Sequence, residues 1–130
     1  MKKIILDTNF LLIPTKFKVD IFSEIDKIAH FNYKLFIIDK TIDELNWIIE
    51  DKKSKSKDKE CAKIGLQLIK AKNVGKIKSK EKYVDDAIVE EADKDTIVAT
   101  SDKELKKRRY QVPFLSLYLY GNISPSSATV

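Results

Sequence analysis

The stretch Lys3-Ile4-Ile5-Leu6-Asp7-Thr8-Asn9 governs the reading of the whole chain. Its three consecutive aliphatic residues, bounded by charge and cut off by a carboxylate, have the pattern of a buried parallel strand whose last residue emerges at the sheet edge. Ligands of open α/β sheets bind at the carboxyl ends of the strands, which makes Asp7 a candidate site residue; the competing role for it is a helix cap. The same pattern returns as Thr96-Ile97-Val98-Ala99-Thr100-Ser101-Asp102. Two apolar strands, each stopped by an acid, put Asp7 and Asp102 on one edge of a parallel sheet.

Outward from these strands, helical and strand-like stretches alternate. Ile21, Phe22, Ile25, Ile28 and Ala29 recur at helical spacing within residues 19–31. Residues 33–38 read as a strand, followed by a helix from about Thr41 to Asp51 that buries Ile42, Leu45, Ile48 and Ile49. On that helix Asp43 points away from the buried side and Glu44 lies on its flank, able to lean over the sheet edge; Trp47 reads as a structural aromatic. Residues 51–60 carry no apolar side chain and read as a mobile connection. A helix from Cys61 to about Lys72 follows, and then a basic loop or weak edge strand over 76–82. Residues 83–92 form a helix with Asp85 and Asp86 in its first turn, where the helix dipole also favours acids. A helix over 102–109, a last strand over 113–119 and a polar tail complete the chain. Such alternation predicts an α/β fold in which right-handed crossovers cover both faces of a parallel sheet. Residues 1–120 read as one domain with a lysine-rich insert at about 51–83, and 121–130 as a flexible C-terminal tail.

At 130 residues and 43% hydrophobic content the chain can bury a core without disulfides or a structural metal. Its one cysteine, Cys61, falls on a predicted helix beside apolar residues and reads as a buried, inert thiol. The start has no long apolar run of a signal peptide and no stretch is long enough to span a membrane, so the expectation is a soluble cytoplasmic protein. His30, alone in the last turn of a helix, is left out of the site. The charge is unevenly spread. Residues 51–83 hold twelve lysines against four acids, a local excess of +8 in a chain whose net charge is +5, which leaves −3 for the remainder. A basic arm joined to an acidic body suits a protein that grips phosphates with one part and places carboxylates at another.

Asp7, Glu44, Asp85 or Asp86, and Asp102 all fall on the carboxyl edge of the sheet. Acids packed there without a counter-ion repel, and a divalent cation removes that cost. An all-oxygen set without a His or Cys cluster selects a hard ion, Mg²⁺ or Mn²⁺, with its shell completed by waters and phosphate oxygens. The chemistry such an ion serves best is phosphodiester hydrolysis. Thr8, Asn9, Thr100 and Ser101, next to the acids, are placed to orient waters or carboxylates.

The motifs Leu6-Asp7-Thr8-Asn9, Asp43-Glu44-Leu45, Asp85-Asp86-Ala87-Ile88 and Ala99-Thr100-Ser101-Asp102-Lys103-Glu104-Leu105, in this order, resemble those of the PIN-domain nucleases. Asp7-Thr8-Asn9-Phe10 and the doubled Asp85-Asp86 are most similar to archaeal members related to the small-subunit processome nuclease, and the likeness extends to VapC-type ribonucleases. The resemblance implies a Rossmann-like three-layer α/β/α sandwich, a Mg²⁺- or Mn²⁺-dependent endoribonuclease acting on single-stranded RNA, and frequent dimers. It implies Asp7, Glu44, Asp86 and Asp102 as catalytic and metal-binding acids, with Asp85 as a further or substitute ligand. Ser101 stands where many relatives carry Asn.

The function expected is therefore cleavage of single-stranded RNA or an rRNA precursor. Lys52, Lys53, Lys55, Lys57, Lys76, Lys78, Lys80, Lys106 and Arg108 are the expected RNA-binding residues. A homodimer and an inhibitory or assembly partner protein accompany that expectation. The alternatives are a non-catalytic RNA-binding ribosome-assembly factor and the toxin component of a toxin–antitoxin pair; the long lysine insert favours RNA processing over the toxin. A phospho-accepting receiver domain would need an Asp ending a middle strand and a Lys ending a later one, and the order of elements supplies no such pair.

Overall fold

The structure, a computed structural model, describes residues 1–12, 15, 18, 20–91, 95–99, 114–117 and 123–126, with the backbone alone at 28, 85, 89–91, 114–117 and 123–126. The elements run β1 (Lys2–Leu6), α1 (Thr8–Leu11), α2 (Ile21–Ile28), β2 (Tyr33–Ile38), α3 (Asp39–Glu50), α4 (Ser56–Ala71), β3 (Gly75–Ile77), α5 (Val84–Glu91), β4 (Thr96–Ala99), β5 (Phe114–Leu117) and β6 (Ile123–Ser126). The strands form one sheet in the order β3-β2-β1-β4-β5-β6. All neighbours are parallel except β5 and β6.

β1 lies at the centre because both of its faces are apolar. Ile4, Ile5 and Leu6 are fully buried, and burial of each is worth about 1.5–3 kcal/mol. Period-two alternation sorts the strand residues between two cores. Ile4, Leu6, Ile37, Ile97 and Ala99 pack with Phe10 and Leu11 of α1, Ile21 and Ile25 of α2, Leu45 of α3, and Ala62 and Ile69 of α4. Ile5, Ile38 and Val98 face the other way, onto Val84, Ala87 and Ile88 of α5. The expected three layers are present: among the described residues, α1 to α4 lie on one face and α5 on the other.

This winding fixes where a site can form. From β1 the chain moves outward to β2 and β3, then returns through α5 to β4 on the opposite side of β1. The strand order therefore reverses between β1 and β4, and the crevice beyond the carboxyl ends of those two strands is the topological switch point. Register brings the two strand ends together: Leu6 is paired with Ala99, and the Asp7 N–H donates to the Ala99 carbonyl at 2.9 Å.

Three segments differ from their sequence reading. α3 starts at Asp39, directly after β2, with an acid in the first turn where the dipole favours it. α4 starts at Ser56, so half of the expected mobile connection is helix. Lys and Glu are good helix formers, Asp58 stands in the first turn where the dipole favours an acid, and Cys61, Ala62, Gly65 and Ile69 anchor the helix they extend. Within the expected polar tail, Ile123–Ser126 forms β6, antiparallel to β5. Backbone pairing at a sheet edge needs no apolar pattern, and an edge strand tolerates Pro125. Cys61 is buried, as expected; of the basic stretch over 76–82, read as loop or weak edge strand, residues 76 and 77 belong to the edge strand β3 and 78–82 form no regular element. Among the described residues no helix is long and apolar enough to cross a membrane. The helix expected over 102–109 lies outside the described residues.

Candidate active site

Asp7 is the first residue past β1 and only 2% exposed. It is the N-cap of α1: its Oδ1 accepts the Thr8 N–H at 2.9 Å, and its carbonyl accepts from Phe10 and Leu11. The capping role and the place at the sheet edge thus belong to the same residue. Beside it, Thr8 is buried and ties the end of β1 to α3. The Thr8 hydroxyl hydrogen bonds Glu44 Oε1 and lies 3.1 Å from the hydroxyl of the fully buried Thr41. A hydroxyl has one proton and a carboxylate only accepts, so Thr8 donates to Glu44 and its lone pairs serve Thr41. Glu44 is thereby held toward the residue that follows Asp7.

A cavity of about 650 Å³ opens at this point. Asp7, Thr8 and Asn9 form one wall, Lys40, Asp43, Glu44, Trp47 and Ile48 of α3 a second, and Lys82, Tyr83 and Val84 at the start of α5 a third. The α3 residues recur at i, i+3, i+4, i+7 and i+8, a single stripe of that helix. Thr41 and Leu45, offset from the stripe, are buried beneath it. Trp47 is 66% exposed and Tyr83 59% exposed, so the expectation that Trp47 is a structural aromatic is corrected. Asp43, read as pointing away, also lines the cavity; the stripe through Glu44 passes over it.

Of the expected acids, Asp7 and Glu44 meet at this cavity. Asp86 is half-buried on α5 and does not line it, although Val84, two residues earlier, does. The side chain of Asp85 is outside the described residues, as are Thr100, Ser101 and Asp102; Asp102 follows Ala99 by three positions in the sequence. Among the described residues no group of three or more His, Cys, Asp or Glu side chains is placed to hold a metal ion. The donor chemistry at the cavity nonetheless fits a hard cation. Asp7 and Glu44 supply carboxylate oxygens, and Mg²⁺ is commonly held by one or two carboxylates with waters and substrate phosphates completing its octahedron.

Lys52, Lys53, Lys55 and Lys57 are exposed around the α3–α4 turn, and Lys57 borders a separate depression between α2 and α4. Lys76, Lys78 and Lys80 are exposed and alternate with half-buried Ile77, Ser79 and Glu81, a row that continues to Lys82 at the cavity. Two contacts fix this segment: the Ser79 N–H donates to Asp39 at 3.3 Å and the Glu81 N–H to the Ser79 hydroxyl at 3.1 Å. Lys106 and Arg108 lie outside the described residues. The cavity's own cations, Lys40 and Lys82, and its aromatics, Trp47 and Tyr83, were missed in the sequence. Their signals were the polar stripe flanking Glu44 and the alternate-position lysines that run up to Tyr83.

Residues 4–119 match the family model described as a PIN like domain. The chain is 34% identical over 110 residues to Ribonuclease VapC4 of Methanocaldococcus jannaschii, covering 83% of this chain and 82% of that protein. Its fold superposes on the PIN domain endonuclease Utp24 with a TM-score of 0.77 and 26% identity, over 95% of this chain and 90% of the other. A family match spanning nearly the whole chain, on a fold that sets Asp7 and Glu44 at the switch point, places this protein in the PIN-like domain family.

Proposed function

We propose that the protein is a metal-dependent endoribonuclease that hydrolyses phosphodiester bonds of single-stranded RNA at the cavity of Asp7 and Glu44. The observation that carries this reading is the junction of those two acids, through Thr8, in a crevice that also presents Lys40 and Lys82. Similarity to a ribonuclease and to an endonuclease supports it. A bound Mg²⁺ or Mn²⁺ would neutralise the carboxylates, polarise the phosphoryl oxygen and acidify the attacking water. Asp7 and Glu44 would hold that ion, with Asp102 and Asp85 or Asp86 as the further acids the motifs imply. Thr8 holds Glu44 in orientation, and Lys40 and Lys82 attract the phosphate backbone. The exposed row Lys76, Lys78, Lys80 and Lys82 guides the strand toward the acids, with Lys52, Lys53, Lys55 and Lys57 as more distant contacts.

RNA processing is the role preferred, because a long lysine-rich segment suits a protein that holds an extended RNA. A second reading, the toxin of a toxin–antitoxin pair with its inhibitory protein partner, is favoured by the higher identity to Ribonuclease VapC4. The two share one chemistry and differ in the RNA cut, so a cleavage-site map in total RNA separates them.

The test of the chemistry is Mn²⁺-supported cleavage of an end-labelled single-stranded RNA. Asn caps a helix as well as Asp does, so Asp7→Asn keeps the fold, which circular dichroism checks. Cleavage is expected to fall by about a hundredfold or more, and Asp102→Asn should do the same. Undiminished cleavage by both variants would remove the assignment.

A further inference from the structure

We infer that Trp47 and Tyr83 form a base-stacking platform at the rim of the acid-lined cavity, taking nucleobases of single-stranded RNA on either side of the phosphodiester held at Asp7 and Glu44. The inference rests on the nuclease reading for the identity of the ligand, and on separate observations for the platform itself. Among the described residues only three large hydrophobic side chains are strongly exposed: Met1, at the chain start, and these two aromatics. Both line the same cavity although they come from different elements, α3 and the start of α5. Exposing an indole and a phenol ring to water forgoes the burial that dominates their energetics, and a shared cavity gives those faces a common use.

The surrounding charge selects the occupant. Lys40 and Lys82 line the cavity with the two rings, and Lys82 Nζ lies 5.4 Å from the centroid of the Tyr83 ring. Cations beside exposed aromatic faces are the combination that binds single-stranded nucleic acid without regard to sequence: lysines meet phosphates while bases stack on rings. Trp47 follows Glu44 by three positions on α3, and side chains so spaced stand about 5–6 Å apart on a helix surface. A base on Trp47 therefore neighbours the phosphate presented to Glu44. The rigid helix holds the ring in place, so the platform also sets which phosphodiester reaches the acids.

The chain contains a single tryptophan, so its emission reports Trp47 alone. The full chain, kept in EDTA to prevent cleavage, is titrated with oligoadenylate and with a ribose-phosphate oligomer of equal length lacking bases; tryptophan emission and the anisotropy of the labelled oligomers are followed together. Oligoadenylate is expected to quench Trp47 saturably, and the abasic oligomer to bind through the lysines without quenching. Trp47→Ala and Tyr83→Ala should each weaken oligoadenylate binding by about tenfold and leave abasic binding unchanged, while Trp47→Phe retains most of the affinity. Absence of oligoadenylate binding, its binding without quenching, or alanine variants that bind it as tightly as the native chain would overturn the platform and leave these rings to a protein partner. Mn²⁺-supported cleavage in a separate sample judges the nuclease reading: quenching without cleavage removes the nuclease and keeps the platform, and cleavage without quenching does the reverse.

Discussion

At the scale of single residues, one hydroxyl sets the geometry of the site. Thr8 is buried between Thr41 and Glu44, and its one proton goes to the carboxylate. Thr8→Val keeps the shape but strips Glu44 of that donor and Thr41 of a buried partner, which costs about 1–3 kcal/mol. Urea unfolding should register this loss, and Mn²⁺-supported cleavage should fall with it; Thr8→Ser, which keeps the hydroxyl, should recover both. Recovery by serine separates positioning of Glu44 from mere filling of space. Asp7 and Glu44 were legible as acids in the sequence because each stands at the junction of a strand and a helix. Their link through Thr8 was not legible, since nothing in a linear pattern says which hydroxyl at the start of α1 meets which helix.

At the scale of elements, helix ends carry the testable energetics. Asp20 caps α2: its Oδ1 accepts the Ser23 N–H at 3.1 Å and its Oδ2 accepts the Ser23 hydroxyl at 3.0 Å. These hydrogen bonds favour the charged form and hold its carboxyl below the usual 3.8. A carboxyl depressed in the folded state stabilises the protein above its unfolded value, and that contribution is lost as pH falls through the folded value. Asp20→Ala is therefore expected to lower stability by about 1 kcal/mol at neutral pH. The difference from the native chain should close in urea titrations carried below pH 3.8. Periodicity revealed the existence of α2, α3 and α4 but not their bounds. Ser56 to Glu60 has no apolar side chain to announce a helix, yet that stretch is helical because Cys61, Ala62, Gly65 and Ile69 fix the axis it continues. Gly75 tells a similar story for β3: a Cβ there would stand 2.7 Å from the Phe36 ring, so a close approach decides the residue and no hydrophobic pattern marks it.

At the scale of the molecule, the sheet order decides the function proposed. Apolar strand cores and strand-ending acids were enough to foresee a parallel sheet with a site on its carboxyl edge, because those features are local in sequence. The reversal between β1 and β4 and the three-walled cavity depend on which helix crosses which face, and therefore appear only in the fold. Charge adds a second global feature. Residues 44 and 52 are eight apart on or just past α3, about 12 Å along its axis, so the lysines of the α3–α4 turn stand at a distance from the acids. The row Lys76, Lys78, Lys80 and Lys82 leads to the cavity instead. Replacing these four by Gln should flatten the salt dependence of single-stranded RNA binding by about 3 units of log–log slope; an unchanged slope would make the row plain surface. The most direct test of the central claim, that the acids of this cavity share a hard cation, is Mn²⁺ binding followed by electron paramagnetic resonance in the native chain and in Asp7→Asn. The native site is expected to lose more than about tenfold in affinity in the variant, and Mn²⁺ bound equally well by both chains would contradict a shared cation.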